Sequence, residues 1–317
     1  MKKTTNKIAL IGAGAVGTSF LYWSMSKGIA EEYAIIDINK EAAKGQQLDF
    51  EDASPSSSYP YLVKSGGYDL LKDADLLIIT AGRPQKPGET RLEMVADNAK
   101  IMKNIALEVK KTNFDGITLI ASNPVDVMTT IYQFVTKFDP KKVISSSCTL
   151  DTNRLKIEFA KIFNVNAKEL NMFVMGEHGD SSVSTIENAT LNGIPLKEYY
   201  SINKIDAAKK AEIHKYVYMK AYEIINRKRA TFYGIGAVLS EISQSILRDE
   251  KKVFSVGSLL NGEYGEKGIY AGIPSIIGRK GIIKTYQFPL AKEELMQFKK
   301  SVSILKKTTE KAFEAIK

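Results

Sequence analysis

Two histidines occur in the 317 residues, and one of them, His178, lies in Gly176-Glu177-His178-Gly179-Asp180. Imidazole titrates nearer neutral pH than any other side chain, so a histidine between glycines suits both giving and taking a proton. Read alone, the stretch is equally a hydrogen-bonded turn. A second stretch carries different chemistry. Ile8-Ala9-Leu10-Ile11-Gly12-Ala13-Gly14-Ala15-Val16-Gly17 is a G-x-G-x-x-G that follows an apolar run and opens an amphipathic one. Gly12 permits a tight turn, Gly14 lets a pyrophosphate approach the backbone, and Gly17 allows close helix–strand packing. The helix N-terminus then offers free N–H groups and partial positive charge to the phosphates. Asp37 ends the next apolar run, about 20 residues on, where a carboxylate accepts hydrogen bonds from ribose hydroxyls. It also repels a 2′-phosphate, and Ile38 beside it supplies no cation, so NAD is expected over NADP.

These residues need elements to hold them. Residues 7–11, 33–37, 75–80 and 116–122 read as strands, with helices over 16–28, 91–111 and 125–137. In the second of these helices Leu92, Val95, Ala99, Met102, Ile105 and Val109 recur at three- and four-residue spacing, which lays them on one face. Such alternation implies a parallel sheet covered by helices on both faces, an α/β fold. The pattern changes after about Cys148. A helix over 151–163 precedes an apolar segment, 171–175, that ends at the histidine stretch. Residues 182–191 and 252–281 have the β-branched and glycine content of antiparallel strands, with helices over 205–227, 231–247 and 292–316. The expected organisation is two domains, 1–147 and 148–317, the second of α+β type.

Composition excludes several classes. The net charge of +9 comes from scattered lysine pairs interleaved with acids, which reads as a solvated basic surface, so no nucleic-acid partner is expected. No apolar run is long enough to span a bilayer, and no membrane partner is expected. Met1-Lys2-Lys3 before an apolar run imitates a signal peptide, but Gly12, Gly14 and Gly17 break that run, so the segment reads as mature, cytoplasmic protein. Cys148 is the only cysteine; it excludes an intrachain disulfide and reads as a small buried thiol, and no metal site is expected.

The stretch Thr80-Ala81-Gly82-Arg83-Pro84-Gln85-Lys86-Pro87-Gly88-Glu89-Thr90-Arg91 leaves a strand and ends at a helix start, with the stiff segments and flexible joints of a lid. Taken with Ser122-Asn123-Pro124, Asp151-Thr152-Asn153-Arg154, the histidine stretch and Ala230-Thr231-Phe232-Tyr233-Gly234, it resembles the lactate and malate dehydrogenase family, on the lactate side. The resemblance spans essentially the whole chain. It implies a Rossmann-type doubly wound parallel sheet followed by an α+β catalytic domain. It also implies NAD contacts from Gly12, Gly14, Val16, Gly17, Asp37, Tyr68, Ala81, Gly82, Ser122 and Asn123.

The same resemblance assigns catalytic roles. His178 would exchange a proton with the substrate oxygen, and Asp151 would hold the other ring nitrogen and raise the His178 pKa. Arg154, one helical turn beyond Asp151, would capture the substrate carboxylate with its planar fork. Arg91 would polarise the carbonyl from the end of the lid, Asn123 would bond substrate and nicotinamide ribose, and Thr231 would line the pocket beside Ile235. Read without the family, Asp151 is a helix N-cap, Arg154 and Arg91 are solvated arginines, and Asn123-Pro124 is a turn. Gln85 selects the substrate: malate members carry an arginine there for a second carboxylate, and a neutral glutamine would leave that group without a counter-charge. Pyruvate/L-lactate is therefore expected, with the L hand taken from the family, and a homotetramer or homodimer as the assembly.

Some residues depart from the family pattern. Asn153 stands where alanine is usual and Arg83 where a small residue is common. Lys156 and Asn171 replace the arginine and histidine that serve fructose 1,6-bisphosphate in activated members, so weak or absent activation is expected. Leu48-Asp49-Phe50-Glu51-Asp52 is similar to branched 2-hydroxyacid dehydrogenases of the same family, which keeps a broader 2-keto acid substrate open. A Ser–His–Asp hydrolase would need a G-x-S-x-G elbow, which is absent. A catalytically silent dinucleotide-binding protein would leave His178, Asp151, Arg154 and Arg91 unexplained together. His214, Met172 and Met175 read as structural.

Overall fold

The computed structural model describes residues 5–83 and 91–317, without the side chains of residues 91–93. Its first half runs β1 (Lys7–Ile11), α1 (Ala15–Ser26), β2 (Glu32–Ile36), α2 (Lys40–Ala53), β3 (Leu62–Ser65), β4 (Leu76–Ile79), α3 (Arg91–Lys110), β5 (Ile117–Ile120), α4 (Val125–Thr136) and β6 (Val143–Ser145). These six strands are parallel, in the order β3-β2-β1-β4-β5-β6. The order reverses between β1 and β4, the switch point where such sheets bind ligands at their carboxyl ends. Successive residues of β1 serve opposite faces: Ala9 and Ile11 join the core beneath α3 and α4, whereas Ile8 and Leu10 join the core beneath α1. Burial on both faces explains the unbroken apolar runs of β1, β4 and β5.

The sequence reading misses β3, β6 and α2, each for a physical reason. β3 is an edge strand with Leu62 exposed, β6 has three residues, and α2 buries only Ala43. None offers a periodic apolar signal.

The second half continues with α5 (Thr149–Phe163), β7 (Leu170–Asn171), β8 (Val174–Met175), β9 (Val183–Ser184), β10 (Thr190–Leu191), β11 (Ile194–Pro195), α6 (Ala207–Lys228), α7 (Tyr233–Leu247), β12 (Lys252–Asn261), β13 (Lys267–Gly278), β14 (Gly281–Thr285) and α8 (Lys292–Glu314). The antiparallel meander β12-β13-β14 extends the parallel sheet, giving nine strands in the order β14-β13-β12-β6-β5-β4-β1-β2-β3 among the described residues. The joint is the pairing of Gly257 on β12 with Ser145 on β6. A Cβ at Gly257 would lie 1.9 Å from Ser145 Oγ, so only glycine permits this approach. The two halves also meet where α7 crosses α1, with Gly236 against Ser19.

Candidate active site

The glycine turn is built around close backbone contacts. Gly12 has φ +100°, and a Cβ there would lie 2.5 Å from Ala81 N. Thr80 Oγ1 donates to the Gly12 carbonyl at 2.6 Å, locking the turn onto the end of β4. A Cβ at Gly17 would sit 2.1 Å from the same carbonyl. Gly14 differs: it is the N-cap of α1, no side chain caps the helix, and a Cβ there would meet nothing within 4 Å. Open space in front of an uncapped helix N-terminus fits a pyrophosphate. Asp37 accepts from the N–H groups of Ala13 at 2.7 Å and Asn39 at 2.8 Å, which fixes its carboxylate beside the turn with lone pairs to spare for a ribose diol. Ile38 beside it is fully exposed.

Other expected cofactor residues take mixed positions. Val16 lies in the first turn of α1, half-buried on the core beneath that helix. The Ser122 hydroxyl is committed internally, donating to the Ala81 carbonyl at 2.5 Å, so its side chain holds the loop and leaves ligand contact to the main chain. Tyr68 lies in a 3-10 turn after β3 and packs on the core beneath α3 and α4. Asn123 is exposed and precedes a cis peptide bond to Pro124. Asn98, absent from the sequence reading, connects these segments. It is 3% exposed; its Oδ1 accepts from Arg83 N, and its Nδ2 donates to the carbonyls of Arg83 and Asn123. Arg83 pairs with Asp97 at 2.7 Å, which gives this departure from the family pattern a local partner.

On the other side of the crevice α5 carries Asp151 and Arg154. The helix begins at Thr149 with Cys148 as N-cap, so Asp151 is a first-turn acid and not the cap. Its Oδ2 lies 2.5 Å from His178 Nδ1, and its Oδ1 accepts from Arg154 Nη1 at 2.9 Å. The carboxylate thus bridges the His178 imidazole and the Arg154 guanidinium, the latter one helical turn along α5. Asp151 and Arg154 side chains are 4% and 7% exposed, whereas His178 keeps 26%, so the solvated-arginine reading of Arg154 does not hold. The Asp151 charge lifts the His178 pKa above its ordinary value, against burial, which lowers it. Burial pushes the Asp151 carboxyl up, but the charges and hydrogen bonds of His178 and Arg154 outweigh this and hold it below the usual range. With Nδ1 occupied by Asp151, Nε2 is the ring atom left for proton exchange.

The histidine stretch is clasped from several sides. Gly176, at φ +88°, exchanges both backbone hydrogen bonds with Gly272 on β13. Glu177 N donates to Ser301 Oγ on α8, and Ser181 donates to the Glu177 carboxylate. His178 N points at Asp126 Oδ2, 3.4 Å away. Asp126 is a second residue that the sequence reading passes over; it is 1% exposed on α4.

Thr231 lies half-buried two residues before α7, which starts at Tyr233 and not at residue 231 as expected, and Ile235 packs on the core shared with α1. His214 on α6 bonds Ser184 at 2.8 Å, and Met172, Met175 and Cys148 are fully buried. Lys156 is half-buried and its pKa is lowered, by burial first; Asn171 is exposed on β7. Gln85 lies outside the described residues. Arg91 opens α3, but its side chain lies outside them too. No group of acids, histidines or cysteines among the described residues could hold a metal ion.

A glycine turn at the switch point of a parallel sheet, together with a hydrogen-bonded Asp–His–Arg cluster, has clear relatives. The sequence profile of the lactate/malate dehydrogenase NAD-binding domain matches residues 6–145, and that of the lactate/malate dehydrogenase alpha/beta C-terminal domain matches residues 148–316. The chain is 50% identical to an L-lactate dehydrogenase of Mesoplasma florum over 316 residues, covering 100% of both chains. It is 53% identical to an L-lactate dehydrogenase of Mycoplasma capricolum subsp. capricolum, covering 97% of this chain and 98% of the relative. The fold superposes on the ligand-bound crystal structure of a minor L-lactate dehydrogenase from Enterococcus mundtii with a TM-score of 0.95 at 38% identity, covering 97% and 98% of the two chains. The crevice, the cluster and these matches agree, and the chain belongs to the lactate/malate dehydrogenase family.

Proposed function

We propose that the protein is an NAD-dependent L-lactate dehydrogenase that interconverts pyruvate and L-lactate, with His178 as the acid/base. The observation that carries the chemistry is the Asp151 carboxylate bridging His178 and Arg154. The nicotinamide cofactor, when bound, supplies or accepts the hydride at the substrate carbon. Protonated His178 gives its proton to the keto oxygen of pyruvate, and neutral His178 takes the hydroxyl proton of lactate in reverse. Asp151 favours the imidazolium before reduction and keeps the ring oriented after it. Arg154, held by one guanidinium nitrogen, has donors left for the substrate carboxylate. Arg91 and Gln85, at the lid, complete the assignment as carbonyl polariser and substrate selector.

The chain is proposed to form two domains, 1–147 and 148–317, and to work in the cytoplasm as a homotetramer or homodimer. No described helix is long and apolar enough to cross a membrane. Exposed Tyr22, Trp23 and Leu48 on α1 and α2, and Tyr216, Met219 and Ile225 on α6, supply apolar faces for assembly. The deciding experiment is NADH oxidation with pyruvate, oxaloacetate and 2-ketoisocaproate, each with and without fructose 1,6-bisphosphate. Pyruvate well ahead, with weak or absent activation by the bisphosphate, is expected. Oxaloacetate ahead would overturn the role of Gln85; 2-ketoisocaproate ahead would move the enzyme to the branched-acid group.

A further inference from the structure

Asp126 is a carboxylate in a place where a neutral group would suffice for packing. It is the second residue of α4, three positions after Asn123. Its Oδ1 accepts from Ser145 Oγ on β6 at 2.7 Å. Its Oδ2 accepts from Ser147 Oγ at 3.1 Å, in the turn before α5, and lies 3.4 Å from His178 N. The backbone of β12 closes the other side, because a Cβ at Gly257 would come within 2.5 Å of Asp126 Oδ1. Two hydroxyls and an amide could be met by a neutral side chain; a buried carboxylate costs stability unless its charge is used. Burial pushes Asp126 up to about 6, opposed by Ser145, Ser147 and His178. Three donors turned toward its two oxygens favour the carboxylate form.

We propose that Asp126 is a positioning residue for proton transfer: its buried carboxylate anchors the His178 main chain to α4 and places a second acidic group beside the histidine stretch. The groups sharing this environment are His178 and Glu177 on the histidine stretch, Asp151 and Arg154 on α5, and Cys148 at its N-cap. Asp151 acts on the His178 ring nitrogen, whereas Asp126 reaches His178 through its backbone N–H. Asp126 raises the His178 pKa, behind the larger effect of Asp151, and the Cys148 thiol is pushed up by burial first and then by the charges of Asp151, Asp126 and Glu177. The inference rests on His178 as the acid/base, and it adds a link from the helix beginning near Asn123 to that residue.

With only two histidines in the chain, the His178 ring can be titrated by NMR in the enzyme without substrate, with His214 as the internal control. Asp126→Asn keeps the size and can still accept from His178 N while donating to a serine. Its His178 titration should move to lower pH by about 0.5–1 unit, and the basic limb of kcat/KM for pyruvate should move with it. Ser145→Ala keeps the carboxylate but removes its shortest hydrogen bond, and should move the titration the same way by less. That variant decides the matter if Asp126→Asn does not fold. A His178 titration unmoved in a folded variant would overturn the proposal and leave Asp126 a packing residue. A moved titration in an enzyme that does not turn over pyruvate would overturn the pyruvate reading while upholding the coupling of Asp126 to His178.

Discussion

Asp151 does the most at the scale of single residues, because one buried carboxylate serves both His178 and Arg154. The raised His178 pKa fixes the sign of the pH dependence. With His178 as the proposed acid/base, pyruvate reduction should hold from acid pH up to that raised pKa and fall above it, and lactate oxidation, which would use the neutral ring, should rise through the same pKa. Stability follows the same linkage. The His178 contribution is full below about 6.5, its ordinary value, and is lost as pH rises through the raised one. The Asp151 contribution is present above the ordinary carboxylate range and is lost as pH falls through its lowered pKa. Asp151→Asn should lower kcat/KM for pyruvate by about 10²–10⁴-fold and shift the reduction profile to lower pH. A pH profile identical to the wild type would show that Asp151 does not set the His178 proton. Gln85→Arg should raise the oxaloacetate-to-pyruvate ratio of kcat/KM by at least about tenfold, and steady-state kinetics on both substrates checks it.

Among the elements, the stretch that leaves β4 and runs to Arg83 is fastened to α3. Two interactions of different magnitude fasten it. The Arg83–Asp97 pair is partly solvated, with Asp97 49% exposed, and pairs of this kind contribute about 0–1 kcal/mol. Asn98 is buried and makes three hydrogen bonds, one of them to the Asn123 carbonyl. Asn98→Ala should therefore cost about 1–3 kcal/mol and raise the pyruvate KM, whereas Asp97→Ala should leave both nearly unchanged. Denaturant unfolding and steady-state kinetics on the two variants measure the contrast; equal effects would mean that the ion pair carries the fastening.

Over the whole molecule, the β6–β12 joint makes one sheet out of two sequence halves, so the crevice lies between parts that cannot drift independently. The surface left over carries apolar side chains on α1, α2 and α6. Trp23 is the only tryptophan and is 37% exposed on α1. Light scattering should give a dimer or tetramer, and Trp23 emission should shift to longer wavelength as dilution separates subunits. A monomer at micromolar concentration would remove the assembly proposal.

Much of this was legible in residue order because the signals are local. The glycine turn, Asp37 and the histidine stretch each occupy a few consecutive residues whose types fit one chemistry, and the apolar runs of β1, β4 and β5 report burial on two faces. Helical spacing alone puts Arg154 one turn from Asp151, but their pairing depends on how the two side chains are buried together. What only the tertiary structure decided are contacts between residues far apart in the chain. Asp126 meets His178 across 52 positions, and Asn98 meets Asn123 across 25. Gly257 meets Ser145 because two strands of opposite direction needed a side-chain-free crossing. An aspartate, an asparagine and a glycine are ordinary residues in a sequence; burial and partners gave them their roles, and both depend on how the chain packs.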